Sequence, residues 1–177
     1  INATLPMLTY AKRIYGLNPD GLLIVANSYD TGLLIQQLSK LGSMIQVMGT
    51  EWSTTGDLRS ISGGALENAY FITSHNPNGR ESNYIDFVSN FQNRFRSEPS
   101  FPAKFGYEAM TLLSSALSNN SESSSLKDNL INLGPTQGLQ DTLEIDRYGD
   151  IKRSVYIMKF KNNKFGVVTK GDSRNLM

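Results

Sequence analysis

Three short apolar runs constrain this chain more than any other feature. They are Leu22-Leu23-Ile24-Val25-Ala26, Met44-Ile45-Gln46-Val47-Met48 and Ala69-Tyr70-Phe71-Ile72-Thr73, and the segments between them carry helical spacing. A short unbroken apolar run bounded by turn signals fits a strand buried on both faces. Two such strands joined through a helix make a βαβ unit, which is almost always parallel and right-handed. Asn18-Pro19-Asp20-Gly21 supplies the turn before the first run, and Asn27-Ser28-Tyr29 breaks it. Asp30 can start a helix through Leu41 with Leu34, Leu38 and Leu41 inward, Lys40 in its last turn and Gly42 as its stop. Thr54-Thr55-Gly56-Asp57 can cap a helix carrying Leu58, Ile61 and Ala65, with Gly63-Gly64 late in it. Upstream, Leu8, Ala11 and Tyr15 share a helical face closed by Gly16. The expected class is α/β, with residues 21–26, 44–48 and 69–73 as adjacent parallel strands.

The pattern changes at the polar loop Asn76-Pro77-Asn78-Gly79-Arg80, which reads as a lobe boundary. Tyr84, Phe87, Val88, Phe91 and Phe95 then form an aromatic stripe at helical spacing. Phe105, Ala109, Leu112, Leu113, Ala116 and Leu117 form another, and the two prolines of Glu98-Pro99-Ser100-Phe101-Pro102 call for loop between them. Asn119 to Ser125 is a polar link that contains the sequon Asn119-Asn120-Ser121. Leu126, Leu130 and Leu133 predict a short helix ended by Gly134-Pro135. Thr142–Ile145 predicts a strand, 146–150 a turn, and 155–160 with 164–168 a hairpin about Lys161-Asn162-Asn163. That C-terminal stretch is basic, holding Arg147, Lys152, Arg153, Lys159, Lys161, Lys164, Lys170 and Arg174 against Asp146, Asp150 and Asp172. Such a run predicts a solvated two-stranded ribbon.

Composition narrows the chemistry. The 177 residues carry 17 Lys+Arg against 16 Asp+Glu, a balance that gives no electrostatic case for nucleic acid. With no cysteine, disulfide scaffolds, Cys-ligated metal centres and thiol nucleophiles are excluded. The one histidine, His75, cannot build a His-rich metal site, and at the end of a strand it reads as a loop residue. Neither of the two common glycine-rich phosphate cradles occurs, and no serine sits in a nucleophile elbow. No catalytic residue, metal site or cofactor is therefore expected. No apolar run approaches the ~20 residues of a membrane span. The first residue is not Met and no leader pattern is visible, which suggests a processed product or a piece of a longer chain.

A binding role fits better. In open parallel sheets, ligands sit outside the carboxyl ends of the strands. Here those ends lead into Asn27-Ser28-Tyr29, Thr50-Glu51-Trp52-Ser53 and Thr73-Ser74-His75-Asn76. The second loop joins a carboxylate to the only tryptophan. Together they suit an ammonium ligand, one by charge pairing and the other as an apolar or cation–π wall. The competing reading has Trp52 plugging a core and Glu51 solvated.

An ordered set of strings carries a resemblance. It comprises Asp20-Gly-Leu-Leu-Ile-Val-Ala-Asn-Ser-Tyr-Asp-Thr-Gly32, Gln37-Leu-Ser-Lys-Leu-Gly42, Met48-Gly-Thr-Glu-Trp52, Gly63-Gly-Ala-Leu-Glu67, Phe105-Gly-Tyr-Glu-Ala-Met110 and the stretch from Gly138 to Asp150. In order and spacing the set resembles the type I periplasmic solute-binding proteins of branched-chain amino-acid ABC transporters, from about residue 8 to about residue 168. The resemblance implies two Rossmann-like lobes joined by three crossovers, with a ligand between them. It implies that Glu51 holds a ligand's α-ammonium, that Asn27, Ser28 and Tyr29 supply polar or aromatic contacts, and that Trp52 walls the side-chain pocket. Tyr107 matches a family position with either a structural or a ligand role.

A full member is roughly twice as long, so this chain resembles a C-terminal half. Residues 1–76 would be the α/β portion of the second lobe, 77–134 helices of the first, and 135–177 returning strands and a hairpin. The implied partners are a small-molecule ligand, the membrane permease of an ABC transporter, and either the N-terminal half or a second copy docked on exposed helices. The implied location is periplasmic or extracellular, with a lipid anchor in a full-length form. An extracellular sensor domain of the same fold is the alternative, and an α/β enzyme the more distant one.

Overall fold

The computed structural model describes residues 4–118 and 125–172. The sequon Asn119-Asn120-Ser121 and Arg174 lie outside them. The chain divides into two compact units, Ile1–Thr73 with Tyr156–Thr169, and Ser74–Val155 with Lys170–Met177.

The first unit begins with α1 (Thr4–Leu17), β1 (Gly21–Ile24), α2 (Ser28–Lys40) and β2 (Gln46–Gly49). A short 3-10 turn at Glu51–Ser53 leads to α3 (Asp57–Ser62), a second 3-10 turn at Gly63–Leu66, and β3 (Tyr70–Thr73). The chain returns through β7 (Ser154–Lys161) and β8 (Lys164–Asp172), after elements described below. The sheet order is β1-β2-β3-β7-β8. β1 runs parallel to β2 with Gly21 opposite Gln46, and β2 parallel to β3 with Met48 opposite Tyr70, as the three apolar runs predict. β7 joins antiparallel, Tyr70 opposite Lys159.

The core is where these apolar runs meet. Ile24, Val47 and Phe71 of the strands pack with Ile35 of α2, Leu58 of α3, Leu66, and Met158 and Phe160 of β7. Burying each large apolar side chain is worth about 1.5–3 kcal/mol, which fixes the register. The basic C-terminal stretch is therefore no solvated ribbon. Its strand β7 buries Tyr156, Met158 and Phe160, and Lys159 and Lys161 flank Phe160. The hairpin turn uses two left-handed residues, Asn162 (φ 50°) and Asn163 (φ 63°), the geometry that matches strand twist. Arg59 donates to the Asn163 carbonyl at 2.8 Å, and the Asn162 amide donates to Glu67 at 3.1 Å, so the turn is tied to the helical layer.

Two expectations fail in this unit. β1 is an edge strand, and Leu23 within it and Val25 just after it are 59% and 73% exposed rather than buried on both faces. In α2 Leu38 is buried as expected, but Leu34 and Leu41 are only partly buried, and Thr31, Leu33, Ile35 and Gln37 are buried as well.

The second unit holds α4 (Ser82–Phe95), α5 (Phe101–Ser118), α6 (Leu126–Ile131), and a small antiparallel sheet β4-β5-β6 (Thr136–Gln137, Thr142–Ile145, Ile151–Lys152). Tyr84, Phe87 and Leu139 form its core, with Val88, Phe91 and Ala103 packed alongside. Phe91 and Phe95 stack at 4.6 Å, although Phe95 remains 60% exposed. Pro102 lies inside the first turn of α5 instead of a loop, where its missing N–H costs nothing. The buried face of α5 is Lys104, Glu108, Leu112 and Ala116, one position from the expected Phe105–Ala109 face. Two charged residues thus point inward, and Ala109 and Leu117 point out.

Candidate functional site

The carboxyl ends of β1, β2 and β3 position every residue singled out for ligand contact. After β1, Asn27 caps α2: its Oδ1 accepts from the Asp30 amide and its Nδ2 donates to Asp30 Oδ2, both at 2.9 Å. The Asn27 side chain is thereby committed to the helix start. Ser28 and Tyr29 lie in the first helical turn rather than in a loop; Ser28 is buried and Tyr29 is about half exposed.

After β2, Glu51 opens the 3-10 turn that Ser53 closes. Ser53 is fully buried, and its hydroxyl donates to the Thr50 carbonyl at 2.5 Å. Thr54 closes on the Glu51 carbonyl at 2.8 Å. These bonds set the backbone from which the Glu51 carboxylate projects. That carboxylate, partly buried, accepts from the Thr73 hydroxyl at the end of β3 at 2.6 Å. Trp52 points away from the core and is 67% exposed, so it is no plug. The turn contacts both α2 and β3, which brings the three strand ends together.

Thr73 is the participant that the sequence did not single out by itself. Its partner lies 22 residues away, and only the parallel register of β2 and β3 puts them side by side. Thr50 Oγ1, on the residue before Glu51, is buried and has no hydrogen-bond partner among the described residues.

His75 lies in the loop after β3, as expected, but it is buried there. It is 2% exposed, its Nε2 lies 3.4 Å from Glu108 Oε2, and its ring meets Phe105 edge-on at 5.3 Å. Glu108 also takes Arg153 Nη1 at 2.8 Å. Burial works to raise the Glu108 carboxyl, but the hydrogen bonds and charges of His75 and Arg153 outweigh it and hold the group below the usual range. This cluster neutralises a buried charge within the second unit. A separate groove of about 470 Å³ in that unit is lined by Asp86, Phe91, Arg94 and Tyr107, among others. Among the described residues, no group of three or more His, Asp or Glu could hold a metal ion.

The fold is a five-stranded mixed sheet with flanking helices, and the candidate residues lie beyond its strand ends. Residues 7–164 match the model of the periplasmic binding protein family, and the chain belongs to that family. The fold is that of the type I periplasmic binding proteins. A leucine-binding protein from Thermotoga maritima superposes with TM-score 0.83 at 20% identity, over 94% of this chain and 49% of that one. A leucine-, isoleucine-, valine-, threonine- and alanine-binding protein from Brucella ovis, in a closed conformation, gives 0.82 at 14% identity, over 97% and 48%. A solute-binding protein from R. palustris in complex with benzoate gives 0.76 at 14%, over 93% and 46%. The chain thus spans about half the length of these solved relatives. No curated protein matches it. The family consists of binding proteins rather than enzymes, and membership implies a periplasmic or extracellular location. No helix among the described residues is long and apolar enough to cross a membrane.

Proposed function

We propose that this chain is part of a solute-binding protein that takes an amino acid or similar small amine for ABC-type uptake. The observation that carries this is the Glu51 carboxylate, projecting beyond the sheet beside exposed Trp52 and held by Thr73. A fixed carboxylate next to an aromatic face attracts an ammonium group and repels a carboxylate. That favours an amine-bearing ligand over an aromatic acid such as benzoate. Trp52 and Tyr29 wall the site, Ser28 offers a hydroxyl from the first turn of α2, and Asn27 shapes the helix start.

Residues 1–73 with 156–169 form the ligand-holding α/β lobe, and residues 74–155, which include β4, β5 and β6, belong to the other lobe. The partners are a membrane permease and either an N-terminal half or a second copy seated on the exposed helical stripes. The full-length form is lipid-anchored outside the cytoplasm. Calorimetry of the intact protein against an amino-acid panel tests the reading. Breaking a desolvated charge pair costs about 3–5 kcal/mol, so Glu51→Gln should weaken binding by orders of magnitude. Unchanged affinity would sink the role of Glu51.

A further inference from the structure

The chain passes between the two units three times, at Thr73/Ser74, Val155/Tyr156 and Thr169/Lys170. On the second unit's side, each passage is rooted in the same small set of polar side chains. The first root is Ser74–Asn76. Gln140 clamps the Asn76 backbone from both sides, accepting from its amide at 2.8 Å and donating to its carbonyl at 2.7 Å, while His75 sits 3.4 Å from Glu108. The second root is Arg153–Ser154. Arg153 donates to Glu108 at 2.8 Å, and Ser154 gives Asp141 its hydroxyl at 3.1 Å and its amide at 3.3 Å. The third root is Lys170, whose ammonium lies 3.5 Å from Asp141.

The three holding side chains are themselves joined. Gln140 and Asp141 are consecutive, and the preceding residue, Leu139, fully buried, donates its amide to Glu108 at 3.1 Å. Two glycines leave room for the assembly. A Cβ on Gly79 would fall 1.9 Å from the Gln140 amide nitrogen, and one on Gly138 would fall 2.9 Å from Glu108 Oε1 and 2.8 Å from the Asp141 carbonyl. Even a methyl group at either position would displace a holding group or the backbone beside it.

We propose that Glu108, Gln140 and Asp141 form one hinge anchor that fixes all three chain passages where they leave the second unit, so that the three roots open only together. Glu108 bridges the first and second roots, Asp141 bridges the second and third, and Gln140 closes the set on the first. A bidentate amide clamp and charge-assisted bonds that share partners act cooperatively. The anchor involves no ligand and stands apart from the role of Glu51.

Hydrogen exchange read by mass spectrometry on this chain tests the proposal. Asp141→Ala removes contacts to the second and third roots only. A single anchor predicts that peptides over 74–78, 152–156 and 168–171 all exchange roughly tenfold faster, the first root included, while β2 and α4 keep their rates. Asp141→Asn retains an acceptor for Ser154 and, if the roots open only together, should bring all three back toward the parent rates. Gln140→Ala, on a partly exposed side chain, should reproduce the three-root pattern from the other end. Faster exchange confined to the roots that each variant touches would overturn the proposal. So would a uniform rise across the second unit, which would make these residues general core supports.

Discussion

Thr73 at the end of β3 donates its hydroxyl to the carboxylate of Glu51, just beyond the end of β2, at 2.6 Å. The bond joins two loops of the candidate site through adjacent parallel strands. It helps aim a partly buried carboxylate at the strand ends.

Thr73→Val keeps the shape and removes the donor. A hydrogen bond to a charged group contributes about 1.5–3 kcal/mol. Amine binding by the intact protein should weaken by about one order of magnitude, less than for Glu51→Gln. Calorimetry on the two single variants and the double variant checks this. Additive losses would show that Thr73 does not act through Glu51.

Trp52→Ala separates stability from binding. The side chain is 67% exposed, so its removal should change unfolding free energy by no more than about 0.5 kcal/mol. If it walls the ligand, affinity should fall while the melting temperature stays put. A large loss of stability would return Trp52 to a packing role.

Acid should loosen the second unit first. Glu108 titrates below its ordinary range in the folded chain, through the balance of burial against His75 and Arg153. The folded state therefore binds the proton less readily than the unfolded chain does. The stabilisation is full above the unfolded carboxyl value, near pH 4.5, and is lost as pH falls through the lower folded value. Tyr84 sets the opposite limit. Burial, then the charges of Glu98 and Glu81, push it to about 12, so its contribution declines as pH rises from about 10 through about 12. Denaturant midpoints across pH should fall at both ends, and Glu108→Gln should flatten the acid limb.

The exposed apolar residues of α4 and α5 should find a cover. Ile85, Phe95, Tyr107, Met110 and Leu117 are each at least half exposed. Apolar patches of more than a few hundred Å² are uncommon on soluble monomers. Light scattering of this chain at micromolar concentration should show a dimer or larger species. A 19.6 kDa monomer would count against docking of a second copy through these helices.

The strand–helix rhythm of residues 21–73 was legible because it depends on local pattern. An apolar run that ends at Asn27 or Thr73 announces a strand end, and a parallel sheet puts such ends on one side. The Asn162–Asn163 hairpin was legible for the same reason, since asparagine tolerates the left-handed backbone that the turn needs. The buried face of α5 was not. Periodicity favours Phe105 and Ala109, yet Lys104 and Glu108 face inward, Lys104 over the Tyr84 ring at 5.2 Å and Glu108 against His75 and Arg153. A charged residue is read as a solvent marker until its partners are seen.

The sequence by itself determined the α/β class and the three parallel strands, and it singled out Glu51 and Trp52 as ligand candidates. Each depends on neighbours within one element, so side-chain period and turn chemistry suffice. Only the tertiary structure decided that Thr73 orients Glu51, that β7 joins the main sheet, that β1 exposes Leu23 and Val25, and that His75 is buried against a carboxylate. Those outcomes join residues far apart in the chain, across strands and helices whose pairing local spacing leaves open. The balance of burial against charge at Glu108 exists only once His75, Glu108 and Arg153 have been brought together.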